Sequence, residues 1–266
     1  MLRDAATVLL IRDRPAGLEV YLLRRVRGMP FAGGMTAYPG GSVDPRDSET
    51  ALAWAGPSPA EWAAAFDTDE GLARALVCAA VRETFEEAGV LLAGPPGGDV
   101  LSDVDTAEWE AVRRALLARE VSLAQALSAR GLAVRSDLLR PWAHWITPEV
   151  EPRRYDTKFF VAAVPAGQTA RDVSGEADEA TWLRPADALA EHAAGTRTML
   201  PPTLITLNDL VPHDTVAGAL AAAPPRPITP VLPALEFEPD GSPVVVTPDG
   251  QRVRLPAGFL RGLNRA

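Results

Sequence analysis

Cysteine, lysine and histidine are scarce in this 266-residue chain, and each scarcity excludes a class of chemistry. The single cysteine, Cys78, excludes an intramolecular disulfide and any multi-cysteine metal site, and it fits a reducing compartment. It reads as a small apolar filler on a helix. Lys158 is the one lysine among 26 basic residues, which together with the heavy use of Ala, Gly and Pro reads as compositional bias. His144, His192 and His213 show no metal-ligand spacing and are assigned structural roles. Long apolar runs are also missing. The stretch Ala5 to Ile11 is too short to span a bilayer, and Arg12 and Asp13 close it. With no recognisable signal peptide or C-terminal address, a cytoplasmic protein without membrane attachment is expected.

What is present is an ordinary globular balance, 47% hydrophobic and 23% charged, with ample length for a buried core. The formal charge of −9 gives a long polyanion net repulsion, so bulk DNA or RNA binding is not expected.

Along the chain, Ala6 to Ile11 and Leu18 to Arg24 flank Arg12 to Gly17 and read as a hairpin. A Gly/Pro-rich loop from Gly28 to Gly41 ends in Tyr38-Pro39-Gly40-Gly41, where two glycines let the backbone bend or approach a ligand. Residues 44–69 read as an insertion with a short helix starting near Pro59-Ala60-Glu61. Good helix formers from Glu70 to Ala88, followed by Gly89, predict a helix with a glycine C-cap. Asp105 to Arg130 predicts one or two amphipathic helices. Strands are expected at Trp142 to Ile146, Lys158 to Val164 and Ala180 to Leu183, then helices at Pro185 to Ala193 and within Met199 to Leu210. Ala217 to Pro230 reads as an Ala/Pro linker, and Val244 to Thr247 with Gln251 to Leu255 as a terminal hairpin about Pro248-Asp249-Gly250.

The segment richest in chemistry is Arg82-Glu83-Thr84-Phe85-Glu86-Glu87-Ala88-Gly89-Val90. On a helix, Glu83, Glu86 and Glu87 fall at i, i+3 and i+4, so three carboxylates share one face and repel. They also sit at a helix C-terminus, whose partial negative charge worsens the placement. One arginine, Arg82, does not balance them. Oxygen donors of this kind suit Mg²⁺ or Mn²⁺, which keep waters and substrate phosphate oxygens as further ligands. A solvated acidic surface patch is the alternative reading of the three acids taken alone.

With Gly40-Gly41 upstream, the segment resembles the signature of the Nudix hydrolase family, Gly-x5-Glu-x7-Arg-Glu-U-x-Glu-Glu-x-Gly-U, where U is aliphatic. The second half matches at Arg82, Glu83, Glu86, Glu87, Gly89 and Val90, with Thr84 at the first U. The first half departs. Gly41 and Arg82 lie 41 positions apart where the family pattern has fourteen, an insertion of 27 residues. Counting six forward from Gly41 gives Asp47 and eight back from Arg82 gives Arg74, so neither frame supplies the upstream glutamate. An interrupted box is similar to that of one branch, the mammalian peroxisomal coenzyme A diphosphatase and its bacterial relatives. Leu22-Leu23-Arg24-Arg25, Arg153 to Phe160, and Gly175 to Glu179 before Trp182-Leu183-Arg184-Pro185 fit that branch, so the resemblance covers roughly residues 5 to 193.

The resemblance implies an α/β fold, a Nudix-type α/β/α sandwich with a mixed sheet, here with a helical insertion at about 45–70, added helices at about 105–130 and a C-terminal hairpin extension. The expected division is a Nudix domain over 1–210, with a linker and hairpin over 211–266 packed on the same domain. It further implies divalent-metal-dependent hydrolysis of a nucleoside diphosphate linked to another moiety, with coenzyme A or acyl-coenzyme A first among substrates. Another nucleotide such as ADP-ribose or NADH, or a non-hydrolytic nucleotide-binding module, are the alternatives. On this reading Glu83, Glu86 and Glu87 hold Mg²⁺ or Mn²⁺, and Arg82 positions the acids. Glu83 itself, or Glu176 or Glu179 from a later loop, supplies the base. Arg24, Gly40, Gly41, Arg154 and Lys158 are the candidate substrate contacts, since arginine contacts phosphate oxygens in pairs. Alternation along a strand allows only one of Arg24 and Arg25 to face the pocket. Phe31, Tyr38, Trp142 and Trp145 are weaker candidates for stacking on a base. The expected partner is a small-molecule nucleotide or coenzyme diphosphate, and a homodimer follows from family habit only.

Overall fold

The computed structural model describes residues 2–28, 32–173, 175, 177–223 and 227–255. Phe31 and Glu176 therefore lie outside the described residues. The hairpin is present with longer strands and a tighter turn than expected, β1 (Leu2–Arg14) and β2 (Gly17–Arg25), because Arg12 and Arg14 stay extended, paired to Glu19 and Gly17. β1 is the centre of the sheet and is buried on both faces. Ala6, Val8 and Leu10 enter one core, Leu9 and Ile11 the other, as alternation requires.

After β2, two short strands, β3 (Thr36–Ala37) and β4 (Gly40–Ser42), turn back onto β2 and β1. β1 thus shares one edge between two partners: Ile11 to Arg14 pair with β2, and Ala5 to Thr7 pair with β4. A 3₁₀ turn, Pro45–Ser48, follows, closed by a reciprocal cap between Asp44 and Asp47. The insertion continues with β5 (Ala53–Ala55) and α1 (Pro59–Phe66), which starts at the expected proline under a Ser58–Glu61 capping box. Trp62 and Phe66 of α1 pack on Phe160, with ring centroids 5.4 and 5.2 Å apart, which fixes the insertion to the sheet.

α2 (Glu70–Ala88) has the expected bounds. Asp69 caps its first turn through Leu72 N–H at 2.9 Å, and Gly89, at φ 69°, ends it. Next come β6 (Ala93–Gly94), α3 (Ala107–Leu117), α4 (Leu123–Ser128) and β7 (Ala133–Arg135). β5, β7 and β6 form a small sheet beside the main one. The main sheet is completed by β8 (Leu139–Ile146), β9 (Arg154–Ala163) and β10 (Ala177–Leu183), in the order β10-β2-β1-β9-β8. Among the described ladders of the main sheet, only β1–β9 is parallel. α5 (Pro185–Ala193) and α6 (Pro201–Leu210) cover the face opposite α1 and α2. The result is the expected α/β/α sandwich with a mixed sheet.

Two expectations for the C-terminal part are corrected. The Ala/Pro segment opens with a helix, α7 (Val216–Ala221), because Thr215 caps it through Gly218 N–H and Ala219 is buried in the second core. The terminal hairpin is a three-stranded sheet, since β11 (Ala234–Phe237) joins β12 (Pro243–Val246) and β13 (Arg252–Arg254). The chain reaches that sheet along the main domain. Ile228 donates to the Ala65 carbonyl of α1, while Val231 exchanges backbone hydrogen bonds with His144 and Ile146 of β8. Among the described residues no helix is long and apolar enough to cross a membrane.

Candidate active site

The C-terminal turns of α2 lie against β4 and the 3₁₀ turn, and this contact assembles the acids. Arg82, 8% exposed, is the hub. Its Nε and Nη2 donate to the two oxygens of Asp47, both at 2.9 Å, and Nη2 also reaches the Ser42 carbonyl at 3.0 Å. Nη1 donates to Glu83 at 2.6 Å and to Glu86 at 3.2 Å. Glu87 is held from the other side by Gly40 N–H at 2.9 Å. The fork of one guanidinium therefore orders three carboxylates, a geometry that a lysine could not reproduce.

Both glycines are required by this packing. A Cβ on Gly41 would fall 2.5 Å from a Glu83 oxygen, and one on Gly40 would fall 2.6 Å from the Ala6 carbonyl and the Thr7 hydroxyl. A side chain at Gly40 would meet backbone and drive β4 away from β1, while one at Gly41 would displace the Glu83 carboxylate from its place beside Arg82. Burial works against Arg82's charge, but Asp47, Glu83 and Glu86 together hold its pKa above the ordinary guanidinium range. Burial pushes the Glu86 carboxyl up to about 7; Glu83 adds to this and Arg82 opposes it. A further cation beside these carboxylates is the addition that the local electrostatics favour.

These groups form the polar end of a cavity of about 930 Å³. Arg3, Arg25, Arg46 and Arg119 also line it. The buried Nε of Arg25 has no hydrogen-bond partner among the described residues. Apolar side chains line the cavity as well, among them Trp145, Ile146 and Val150 around β8 and Leu200 and Pro201 at the start of α6.

Four expected site residues stand outside the cavity lining. Arg24 points to the opposite face of β2 from Arg25 and is paired with Asp178 at 2.6 Å and Glu179 at 2.7 Å. Glu179 is engaged a second time by Arg197 at 2.9 Å, so two arginines hold it away from the α2 acids. On β9 it is Tyr155, Thr157 and Phe159 that face the cavity. Lys158 is consequently turned to the other side, 3% exposed, with Asp156 at 2.6 Å and Asp4 at 3.4 Å. Arg154 donates instead to the Thr147 carbonyl at 3.1 Å. Of the aromatic candidates, Tyr38 bonds Thr206 and packs edge-on to Phe159, and Trp145 is buried in the wall. His144 bonds Asp156, His192 bonds the Arg197 carbonyl, and His213 packs on Trp142.

The residue that sequence reasoning left without a task is Asp47. It is 3% exposed and makes the two-pronged contact that fixes Arg82. Its position six residues after Gly41 was the available signal, with aspartate where the family pattern has glutamate.

Residues 68–210 match the family model of the NUDT19 Nudix domain. Among curated proteins, the chain is 27% identical over 146 residues to the acyl-coenzyme A diphosphatase NUDT19 of Xenopus laevis, covering 50% of this chain and 38% of that protein. It is 27% identical over 208 residues to putative nudix hydrolase 7 of Caenorhabditis elegans, covering 78% and 60% respectively. The chain thus spans 38% and 60% of the length of these relatives, less than two thirds of each. A crystal structure of a NUDIX hydrolase from Alicyclobacillus acidocaldarius superposes with a TM-score of 0.70 at 30% identity, over 85% of this chain and 99% of that one. With the fold, the box residues on α2 and these matches in agreement, the chain belongs to the Nudix hydrolase family.

Proposed function

We propose that the chain is a divalent-metal-dependent pyrophosphohydrolase that cleaves the diphosphate of coenzyme A or an acyl-coenzyme A. The observation that carries this reading is the buried set Glu83, Glu86 and Glu87, gathered by Arg82 against Gly40 and Gly41 at one end of a large cavity. Likeness to the NUDT19 domain supports the choice of substrate. A volume of about 930 Å³ also stands near the top of the roughly 300–1,000 Å³ span of small-molecule sites, as a dinucleotide-sized ligand needs.

The donor set fits Mg²⁺ or Mn²⁺, for it consists of hard oxygens and leaves positions to water and phosphate. Glu83, Glu86 and Glu87 would hold the ion, and the bare backbone at Gly41 gives the Glu83 carboxylate its room. Among the described residues no three His, Cys, Asp or Glu side chains already close on one point, because Arg82 draws Glu83 and Glu86 to itself. Bound there, the ion would offset diphosphate charge and make a water ligand more acidic.

The chain's own residues do the rest. Asp47 fixes Arg82, and Arg82 keeps Glu83 and Glu86 from drifting apart. Gly40 N–H sets the position of Glu87. Arg25, placed in the cavity without an ion pair among the described residues, contacts the charged part of the substrate in place of Arg24. Glu83, which Arg82 Nη1 holds at 2.6 Å, is the candidate proton acceptor for the attacking water.

The test is mass spectrometry of products after incubation with Mg²⁺ or Mn²⁺ and a mixture of coenzyme A, acetyl-coenzyme A, ADP-ribose, NADH and diadenosine polyphosphates. The expected products are 3′,5′-ADP and 4′-phosphopantetheine or its acetyl form, absent with Glu87→Gln. Cleavage of a different component would replace the substrate, and tight nucleotide binding with no cleavage would replace the activity.

A further inference from the structure

The C-terminal three-stranded sheet lies beyond residue 210, where the family-model match ends, and yet it forms part of the cavity wall. Its register explains how. Leu235 of β11, Val245 of β12 and Val253 of β13 are directly paired across the sheet and so share one face. Leu235 and Val245 line the cavity, Val253 packs against the second core, and Leu255, just past β13, lines the cavity as well. The neighbouring rows mix the charged Glu236, Arg252 and Arg254 with the buried Val244. It is the row of Leu235 and Val245 that reaches the cavity.

The rim shows the same chemistry. Six large apolar side chains are exposed among the described residues, and Leu2, Leu117 and Val150 of these line the cavity. The cavity thus brings the charged group around Arg82 together with apolar side chains supplied by other elements. Its matching ligand carries a diphosphate at one end and an uncharged, apolar chain at the other.

We infer that Leu235, Val245 and Leu255 form a subsite for the fatty acyl tail of an acylated coenzyme thioester, and that this sheet sets the preference for acylated over free coenzyme A. The inference rests on the diphosphatase reading above and adds to it the residues that choose between substrates. A tail in this subsite withdraws its own apolar surface from water, a gain that free coenzyme A lacks because its chain ends in a thiol.

The experiment compares octanoyl-coenzyme A with coenzyme A in the full chain, with Mg²⁺ present. The expected result is a higher kcat/KM for the octanoyl substrate. Val245→Asp is expected to lower that value about tenfold more for octanoyl-coenzyme A than for coenzyme A, and Leu235→Ala, a milder change that keeps the sheet apolar, about threefold more. Equal losses on both substrates, or an unchanged preference in both variants, overturn the inference. Calorimetric binding of the same two compounds to Glu87→Gln separates this question from turnover. If nothing is hydrolysed but octanoyl-coenzyme A binds more tightly, and Val245→Asp in that background erases the difference, the subsite stands and the activity reading falls. Equal affinity for both compounds before any change at Val245 overturns the subsite.

Discussion

Two buried arginines organise acids in this molecule, and they do so to opposite ends. Arg82 serves Asp47, Glu83 and Glu86, with Glu87 beside them on Gly40 N–H, and Arg82 and the three glutamates line the cavity. Arg197 serves Glu179 and Glu191, shares Glu179 with Arg24, and also bonds the Thr36 hydroxyl, outside the cavity lining. In the first group one guanidinium is divided among three carboxylates. In the second, two guanidiniums divide three carboxylates once Asp178 is included. Crowded acids beside a cavity have use for a further cation, whereas the second group ties β2, β10 and α5 together and needs nothing more. Acid content alone does not separate them; the arginine count and the position do.

The largest expected difference is in turnover. Glu83→Gln and Glu87→Gln are each expected to lower kcat/KM for coenzyme A by about 10³-fold, the scale of losing a group that acts at the reacting centre. Glu179→Gln is expected to change it by less than about threefold. A comparable loss at Glu179, measured under the same Mg²⁺ concentration, breaks the distinction between the two groups.

Stability comes next. Asp47→Ala leaves Arg82 buried without its two-pronged partner, and removal of one member of a buried pair costs about 3–5 kcal/mol. Glu179→Ala is expected to cost about 1 kcal/mol or less, because Glu179 is one-third exposed and Arg197 keeps Glu191 and Thr36. Urea unfolding of both variants decides this, and equal midpoint shifts contradict it. A smaller effect distinguishes the groups by ligand. Saturating Mg²⁺ or Mn²⁺, at about 100 times its dissociation constant, contributes about 2.7 kcal/mol and raises Tm by about 6 °C. The rise is expected to vanish in Glu83→Gln and persist in Glu179→Gln, as read by thermal unfolding with and without the metal.

How much of this was legible in the sequence depended on how local each signal was. α2 and α5 carry their own starts and stops, Asp69 and Gly89 for one and Pro185 for the other, so their bounds could be read directly. The three acids of α2 share a face by helix periodicity alone. By contrast β5, β6 and β7 are two or three residues long and alanine-rich, and only their mutual pairing makes them strands. β11 needs β12 beside it, and α7 depends on a capping threonine and the burial of Ala219. In the site, strand alternation limits the cavity to one of Arg24 and Arg25, but which one depends on where β2 sits in the sheet. Asp47 was visible at the right count from Gly41, while its grip on Arg82 exists only because the insertion folds back on α2.

The smallest expected effect makes Cys78 a reporter on that contact. Burial, with Asp47 adding to it, pushes its thiol up to about 12, so at pH 8 the folded protein holds far less thiolate than an unfolded chain. A thiol reagent is therefore expected to react only as α2 opens. In Asp47→Ala two things change together: the packing that buries Cys78 loosens, and the negative charge that raised its pKa is gone. Both accelerate the reaction. Glu179→Ala touches neither, so its labelling rate is expected to equal that of the unaltered chain. If the two variants label at the same raised rate, α2 and the β10 region open as one unit, and the two arginine groups differ in chemistry but not in the structure they hold.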